Sequence, residues 1–79
     1  MPQLIVAYAG RPSATLQARL VTLSDGVLIT ERYTLGPPEG CELTFDVPTL
    51  ARAIRARDAV EADQPTVKAT ALARTQAYA

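Results

Sequence analysis

Carboxylates and arginines are the side chains of this chain that offer the most chemistry. The carboxylates fall into two groups with arginines between them: Glu39, Glu42 and Asp46, then Arg52, Arg55 and Arg57, then Asp58, Glu61 and Asp63. Two carboxylates held at a fixed separation can act as general acid and base. Nothing in these segments fixes such a separation, and acidic residues near loops are usually solvated, so we expect no catalytic pair.

Histidine, the commonest acid or base at neutral pH, does not occur in the chain. Its absence excludes Ser-His-Asp and Cys-His sites, and the single cysteine, Cys41, excludes an internal disulfide and the usual zinc sites. The carboxylate of Glu42 raises the pKa of a neighbouring thiol, so we expect Cys41 to be unreactive. The four glycines are too scattered for a phosphate-binding loop. These residues predict a protein that is not an enzyme and uses no metal or cofactor.

Composition predicts one small domain, 1–79, because 79 residues suffice for a single core. Apolar residues make up 48% of the chain, which is too many for a disordered protein. No apolar run reaches the about 18 residues that span a bilayer, and no basic region precedes Leu4, so we expect a cytoplasmic protein without membrane contact. Eight basic residues balance eight acidic ones, which argues against nucleic-acid binding.

The first half of the chain predicts three strands. Residues 4–9 are β-branched, aromatic or small, and both alternating faces are apolar, which predicts a central strand. Asp25-Gly26 between β-rich runs predicts a hairpin that joins 14–23 to 27–35. A two-residue turn would place Arg19 opposite Arg32, whereas a three-residue turn pairs Arg19 with Glu31. The second register avoids like charges across the strands and is favoured.

The second half predicts a loop, a short strand, a helix and a last strand. Residues 36–40 form a Pro- and Gly-rich loop, and 41–45 a short strand. A helix is expected from Asp46 to Ala62, with Asp46 as N-cap, Pro48 in the first turn and Phe45 and Leu50 as a hydrophobic staple. Its apolar stripe comprises Leu50, Ala53, Ile54, Ala56 and Val60. Residues 66–79 alternate with a period of two, which favours a strand over the helix that their alanines would prefer.

This order predicts an α+β fold, a two-layer sandwich in which an antiparallel sheet of about four strands carries one helix packed on one face. The other face of the sheet would then lie open. With several Leu, Val or Ile side chains on it, that face would mark a partner site or a homodimer contact.

Partner-binding residues are expected on and beside the helix. Arg52 and Arg55 point away from the apolar stripe, and arginine is enriched at binding hot spots. Arg57 falls inside the apolar arc, with its guanidinium expected near Glu61. Pairs of Asp58 with Arg55 and of Glu61 with Arg57 would account for the helix charges.

In size, in strand-strand-strand-helix order and in its exposed Arg52 and Arg55, the chain resembles the anti-CRISPR proteins of phages and mobile elements that act on type I complexes. That resemblance implies an inhibitor in a bacterial host that binds a Cascade-type complex and blocks target DNA without chemistry of its own. Since such complexes hold DNA in lysine-lined channels, it also implies acidic contact residues. The candidates are Glu39, Glu42, Asp58, Glu61 and Asp63.

The sequence therefore predicts a non-enzymatic, protein-binding inhibitor. A small dimeric nucleic-acid-binding or regulatory protein is the alternative, on the basis of five arginines, namely Arg19, Arg32, Arg52, Arg55 and Arg74. A structural phage component that acts by self-assembly is a third reading. Binding through the basic or through the acidic side chains stays open.

Overall fold

The computed structural model describes residues 1–11 and 13–73, which form a four-stranded sheet and two helices. The elements in chain order are β1 (Gln3–Ala9), α1 (Ala14–Ser24), β2 (Val27–Thr34), β3 (Gly40–Asp46), α2 (Leu50–Asp63) and β4 (Lys68–Leu72). The sheet is antiparallel throughout, in the order β2-β3-β1-β4. This element order with β3 inserted between β1 and β2 is the split β-α-β topology called ferredoxin-like.

The predicted α+β sandwich with about four antiparallel strands is confirmed, but it carries two helices rather than one. Residues 4–9 form most of β1, which lies between β3 and β4 as the predicted central strand. Residues 41–45 lie in β3, and residues 68–72 of the predicted last strand form β4. Of the remaining residues of that prediction, 66, 67 and 73 lie outside the strand, and 74–79 lie outside the described residues.

The predicted hairpin between 14–23 and 27–35 is wrong, because Ala14–Ser24 is helical. Ser13 is its N-cap and accepts a hydrogen bond from the Leu16 amide at 3.1 Å. Asp25 ends the helix in the left-handed region at φ 52°, and the Gly26 amide donates to the Val21 carbonyl at 3.3 Å. Asp-Gly thus forms a helix end, which requires the same backbone freedom as a tight turn.

Both predicted hairpin registers are consequently wrong as well. Arg19 lies on α1, where its guanidinium is 3.4 Å from the Asp63 carboxylate of α2. Arg32 lies on β2 opposite Glu42 of β3, since β2 forms its hairpin with β3 through 35–39. Sequence alternation alone could not separate the two arrangements, because Leu16 and Leu20 suit a helical stripe as well as one face of a strand.

The second helix begins at Leu50, three positions later than the predicted N-cap implied. Thr49 is the N-cap and accepts from the Arg52 amide at 3.1 Å, whereas Asp46 is the last residue of β3 and accepts from the Gln3 side-chain amide at 3.2 Å. Phe45 is fully buried in the sheet and Leu50 is 37% exposed, so the predicted staple is absent. Strand pairing with β1 extends β3 through Asp46 and displaces the helix start.

One hydrophobic core fills the space between the helices and the sheet. Alternate residues of the central strands supply its sheet side, and each helix contributes its buried stripe. The predicted helix stripe is confirmed at Ala53, Ala56 and Val60, while Ile54 is half-buried. No helix in the described ranges is long and apolar enough to cross a membrane.

The sheet face away from the core is mainly polar, unlike the apolar face that the sequence predicted. Residues directly opposite each other on neighbouring strands share a face, so the strand register shows which residues form each row across the open face. One row comprises Lys68, Ala7, Glu42 and Arg32, and the next Thr70, Ile5, Thr44 and Thr30. The homodimer expected from an apolar face loses its structural basis there.

Candidate functional site

The six residues predicted to bind a partner do not form one surface. Arg52, Arg55 and Asp58 are exposed on α2. Glu42 lies on the open sheet face and Glu39 in the connection between β2 and β3. Among the described carboxylates none lies within 4.0 Å of the Arg52 or Arg55 guanidinium, so both cations are free to meet another molecule.

Two of the predicted helix residues have contacts within the fold. The guanidinium of Arg57 pairs with Asp58 at 3.0 Å, so the predicted pairs of Asp58 with Arg55 and of Glu61 with Arg57 are wrong. The Glu61 carboxylate instead accepts the Ala69 amide of β4 at 3.0 Å. Packing of β4 beside α2 brings that backbone donor to Glu61, which local helix spacing does not predict. Glu61 therefore contributes a hydrogen bond between α2 and β4.

Exposed apolar side chains concentrate on a different element, the outer strand β2 and the residue that follows it. Among the described large apolar side chains that are exposed, four of seven lie there. The four, with their exposed fractions, are Val27 (67%), Ile29 (47%), Tyr33 (47%) and Leu35 (85%). We call these four residues the β2 edge surface. The sequence predicted all four residues in the second strand of a hairpin, whereas the fold leaves them exposed on an outer strand and the residue after it.

Tyr33, in the second half of this surface, is held in place by two contacts. Its hydroxyl donates to the Glu31 carboxylate at 2.8 Å, and the guanidinium carbon of Arg11 lies 5.6 Å from the ring centroid. Arg11 follows Gly10, which adopts a positive φ of 73° and donates its amide to the Glu39 carbonyl at 3.1 Å. The loop after β1 thereby brings a cation onto an exposed aromatic ring, an attractive arrangement.

Two clefts adjoin Tyr33. The larger, of about 350 Å³, is lined by Ala7, Tyr8, Arg32, Tyr33, Thr34, Gly40, Cys41 and Glu42. The smaller, of about 50 Å³, is lined by Gly10, Arg11, Tyr33, Thr34, Leu35, Glu39 and Gly40. Concave sites that combine apolar and polar groups are the usual form of a binding site. Glu39 and Glu42 are thus the predicted binding residues that adjoin the β2 edge surface.

Tyr8, Cys41 and Tyr33 form one row across three strands, on the helix side of the sheet. Burial, then the nearby Glu31 carboxylate, raises the pKa of the Cys41 thiol, and the Tyr33 hydroxyl only partly offsets this. A buried thiol with a raised pKa is a poor nucleophile, because only the thiolate attacks. In residues 1–11 and 13–73 no group of three potential metal ligands occurs. The row offers polar contacts rather than covalent chemistry.

The Tyr8 hydroxyl is buried and has no hydrogen-bond partner among the described residues. Burial raises the pKa of Tyr8 far above the ordinary value for tyrosine, and the neighbouring Cys41, Tyr33 and Glu31 contribute in the same direction. A buried hydroxyl without an acceptor costs free energy, so the Tyr8 hydroxyl is an unsatisfied donor within the fold.

We expect Tyr8→Phe to keep or raise the stability at pH 7, by up to about 1–2 kcal/mol, since it removes an unsatisfied polar group. The wild type should lose stability as the pH rises above about 10, because the unfolded chain then releases the phenolic proton that the fold retains. Tyr8→Phe should reduce this alkaline loss. Urea midpoints at pH 7, 9 and 11 measure both effects, and the exposed Tyr33→Phe is the control for the effect at pH 7. A clear loss of stability in Tyr8→Phe at pH 7 would contradict the assignment.

Comparison of the chain with protein-family models, with curated proteins and with solved structures finds no match.

Proposed function

We propose that this protein is a non-enzymatic inhibitor that acts by binding another protein, with the β2 edge surface as its contact. The main observation that supports this proposal is the concentration of exposed apolar side chains along one outer strand, from Val27 to Leu35. Val27 lies on the open face and Tyr33 on the helix side of the sheet, so these side chains would contact a partner that lies along the edge of β2. Tyr33 is the expected anchor, because an aromatic ring already ordered by Glu31 and Arg11 loses little conformational entropy on binding.

The partner that we propose is a type I Cascade complex in the cytoplasm of a bacterial host, with occlusion of target DNA as the mechanism. Small size and the unpaired Arg52 and Arg55 support this choice. The strand-strand-strand-helix order no longer supports it, because a helix stands in place of the first hairpin strand.

The alternative of a nucleic-acid-binding protein gains no specific support. Arg19 is paired with Asp63, Arg32 lies on the open sheet face, and Arg52 and Arg55 lie on α2. Arg74 lies outside the described residues. A phosphate backbone is usually met by cations on one continuous surface. The predicted homodimer remains a prediction, which sedimentation of the purified protein tests.

The test measures binding of purified protein to a purified type I Cascade complex, and the effect on target DNA binding by that complex. We expect a stable complex and loss of DNA binding. Leu35→Asp should weaken the association at least tenfold, since it places a charge at the most exposed apolar position of the surface. Val21→Asp is the matched control, because Val21 is 41% exposed on α1.

Two results would count against the proposal. No association with Cascade, together with undisturbed DNA binding, would remove Cascade as the partner. Association that Val21→Asp weakens and Leu35→Asp leaves unchanged would move the contact away from the β2 edge surface.

A further inference from the structure

The backbone of β2 is open along one side. In the described part of the chain, β2 pairs with β3 alone and forms one edge of the sheet. Among the residues that the structure describes, no side chain or loop forms a hydrogen bond with its outer amides and carbonyls. The other edge strand, β4, is shorter, and its Ala69 amide is occupied by Glu61. Outer strands are usually shielded in some such way, because their free backbone groups template pairing with another chain.

The segment from Thr30 to Thr34 is the part of β2 best suited to such pairing. An irregularity between Leu28 and Thr30 interrupts the register with β3, and beyond it the pairing is regular to the end of the strand. Neither proline nor lysine, which commonly protect exposed edges, occurs in this segment. The two clefts beside Tyr33 provide space for side chains of an added strand, which alternate between the faces of a sheet.

The neighbouring and oppositely charged Glu31 and Arg32 determine which kind of strand can pair with β2. Arg32 lies on the open face opposite Glu42, and Glu31 on the helix side opposite Leu43. A second copy added antiparallel around a two-fold axis would pair a central residue with itself, since opposed residues share a face. If the two-fold axis passes through Glu31 or Arg32, that residue lies opposite its own copy. Like charges directly opposite each other are destabilising. Centring the axis on Tyr33 shortens the paired segment.

We infer that β2 accepts an extended strand from a different protein, one that carries an acidic residue opposite Arg32 and a basic residue opposite Glu31. This inference rests on the proposed function and specifies the chemistry of the partner segment. In antiparallel pairing the partner strand carries, from its amino end, an apolar residue opposite Tyr33, an acidic residue opposite Arg32 and a basic residue opposite Glu31. The added acid extends the row that already contains Glu42 and Arg32.

Two capped peptides test the charge pattern, TVEKTV and its charge-swapped control TVKETV. In NMR titrations of the full chain, TVEKTV should bind about five- to tenfold more tightly, because two favourable cross-strand charge pairs replace two unfavourable ones. The shifts should map to the amides of 30–34. The double variant Glu31→Lys/Arg32→Glu should reverse the preference, with circular dichroism to verify the fold.

Equal binding of the two peptides, shifts that map elsewhere, or a preference that the double variant leaves unchanged would overturn the inference. A dimer in sedimentation that the double variant dissociates would also overturn it, in favour of a second copy. The peptide assay contains no Cascade, so binding at β2 without any Cascade association would remove only the proposed function. Cascade association that the double variant leaves intact would remove only the strand-addition inference.

Discussion

Replacing Phe45 with alanine is expected to lower the free energy of unfolding by about 3–5 kcal/mol, the usual range for a buried phenylalanine. Phe45 is fully buried in β3, directly opposite Leu4 of β1 and Leu28 of β2. It is the only phenylalanine of the chain, and the residues around it hold the centre of the sheet against both helices. Truncation removes apolar contacts and leaves a cavity that the sheet cannot close.

That loss is a large share of the stability available to a domain of this size, roughly 4–12 kcal/mol. Urea denaturation followed by circular dichroism measures it, and Phe45→Leu should cost less than half as much. Tyr33→Ala is the control, because Tyr33 is an aromatic residue that is 47% exposed on the neighbouring strand. An effect of Phe45→Ala no larger than that of Tyr33→Ala would place Phe45 outside the core.

Gly26→Ala is expected to cost about 2–3 kcal/mol, because no space exists for a methyl group there. A Cβ at Gly26 would lie 2.8 Å from the Asp46 carbonyl oxygen and 2.7 Å from the Ser24 hydroxyl. The carbonyl belongs to the backbone of β3, and the Ser24 hydroxyl is fixed by its donation to the Leu20 carbonyl at 2.6 Å. To accommodate the methyl group, either β3 or the end of α1 would have to move.

Thermal unfolding measures this cost, and a change of this size should lower the midpoint by more than about 8 °C in a domain of this length. Gly36→Ala is the matched control, since a Cβ there meets no atom within 4 Å. A fall in the midpoint of the same size in both variants would contradict the close approach at Gly26.

The β2 edge surface changes the expected location of binding. From the sequence, the contact was expected on the charged side of the helix and at Glu39 and Glu42 before it, with the choice between basic and acidic side chains left open. In the fold, the exposed apolar side chains and the two clefts lie on β2 and its connection to β3 instead. Glu39 and Glu42 remain beside them, whereas Glu61 serves the contact between α2 and β4.

Local patterns predicted elements correctly where one interpretation had no competitor. The apolar run at 4–9 was too short and too apolar on both sides for anything except a central strand. The stripe that contains Ala53, Ala56 and Val60 has a helical period, and helix formation follows from that period with little help from context. The missing histidine likewise excluded whole classes of sites without reference to any fold.

Where two interpretations used the same residues, the sequence was insufficient. Leu16 and Leu20 are four positions apart, which suits a helix, and with Ala18 they also fall on one side of a period-two pattern, which suits a strand. Asp25-Gly26 suits a helix end and a hairpin turn equally, because both need a residue with positive φ. The helix start was uncertain for a similar reason, since Asp46 and Thr49 are both good N-caps.

The amino-acid sequence by itself determined the single small core, the central strand, the second helix and the lack of the usual catalytic groups, because these depend on composition and on short-range periodicity. Only the tertiary structure decided that Ala14–Ser24 is a helix, that β2 pairs with β3 and that β2 is left at the edge with its apolar side chains uncovered. Such features depend on which elements meet across long stretches of chain, and that choice is made by the free energy of packing the whole core.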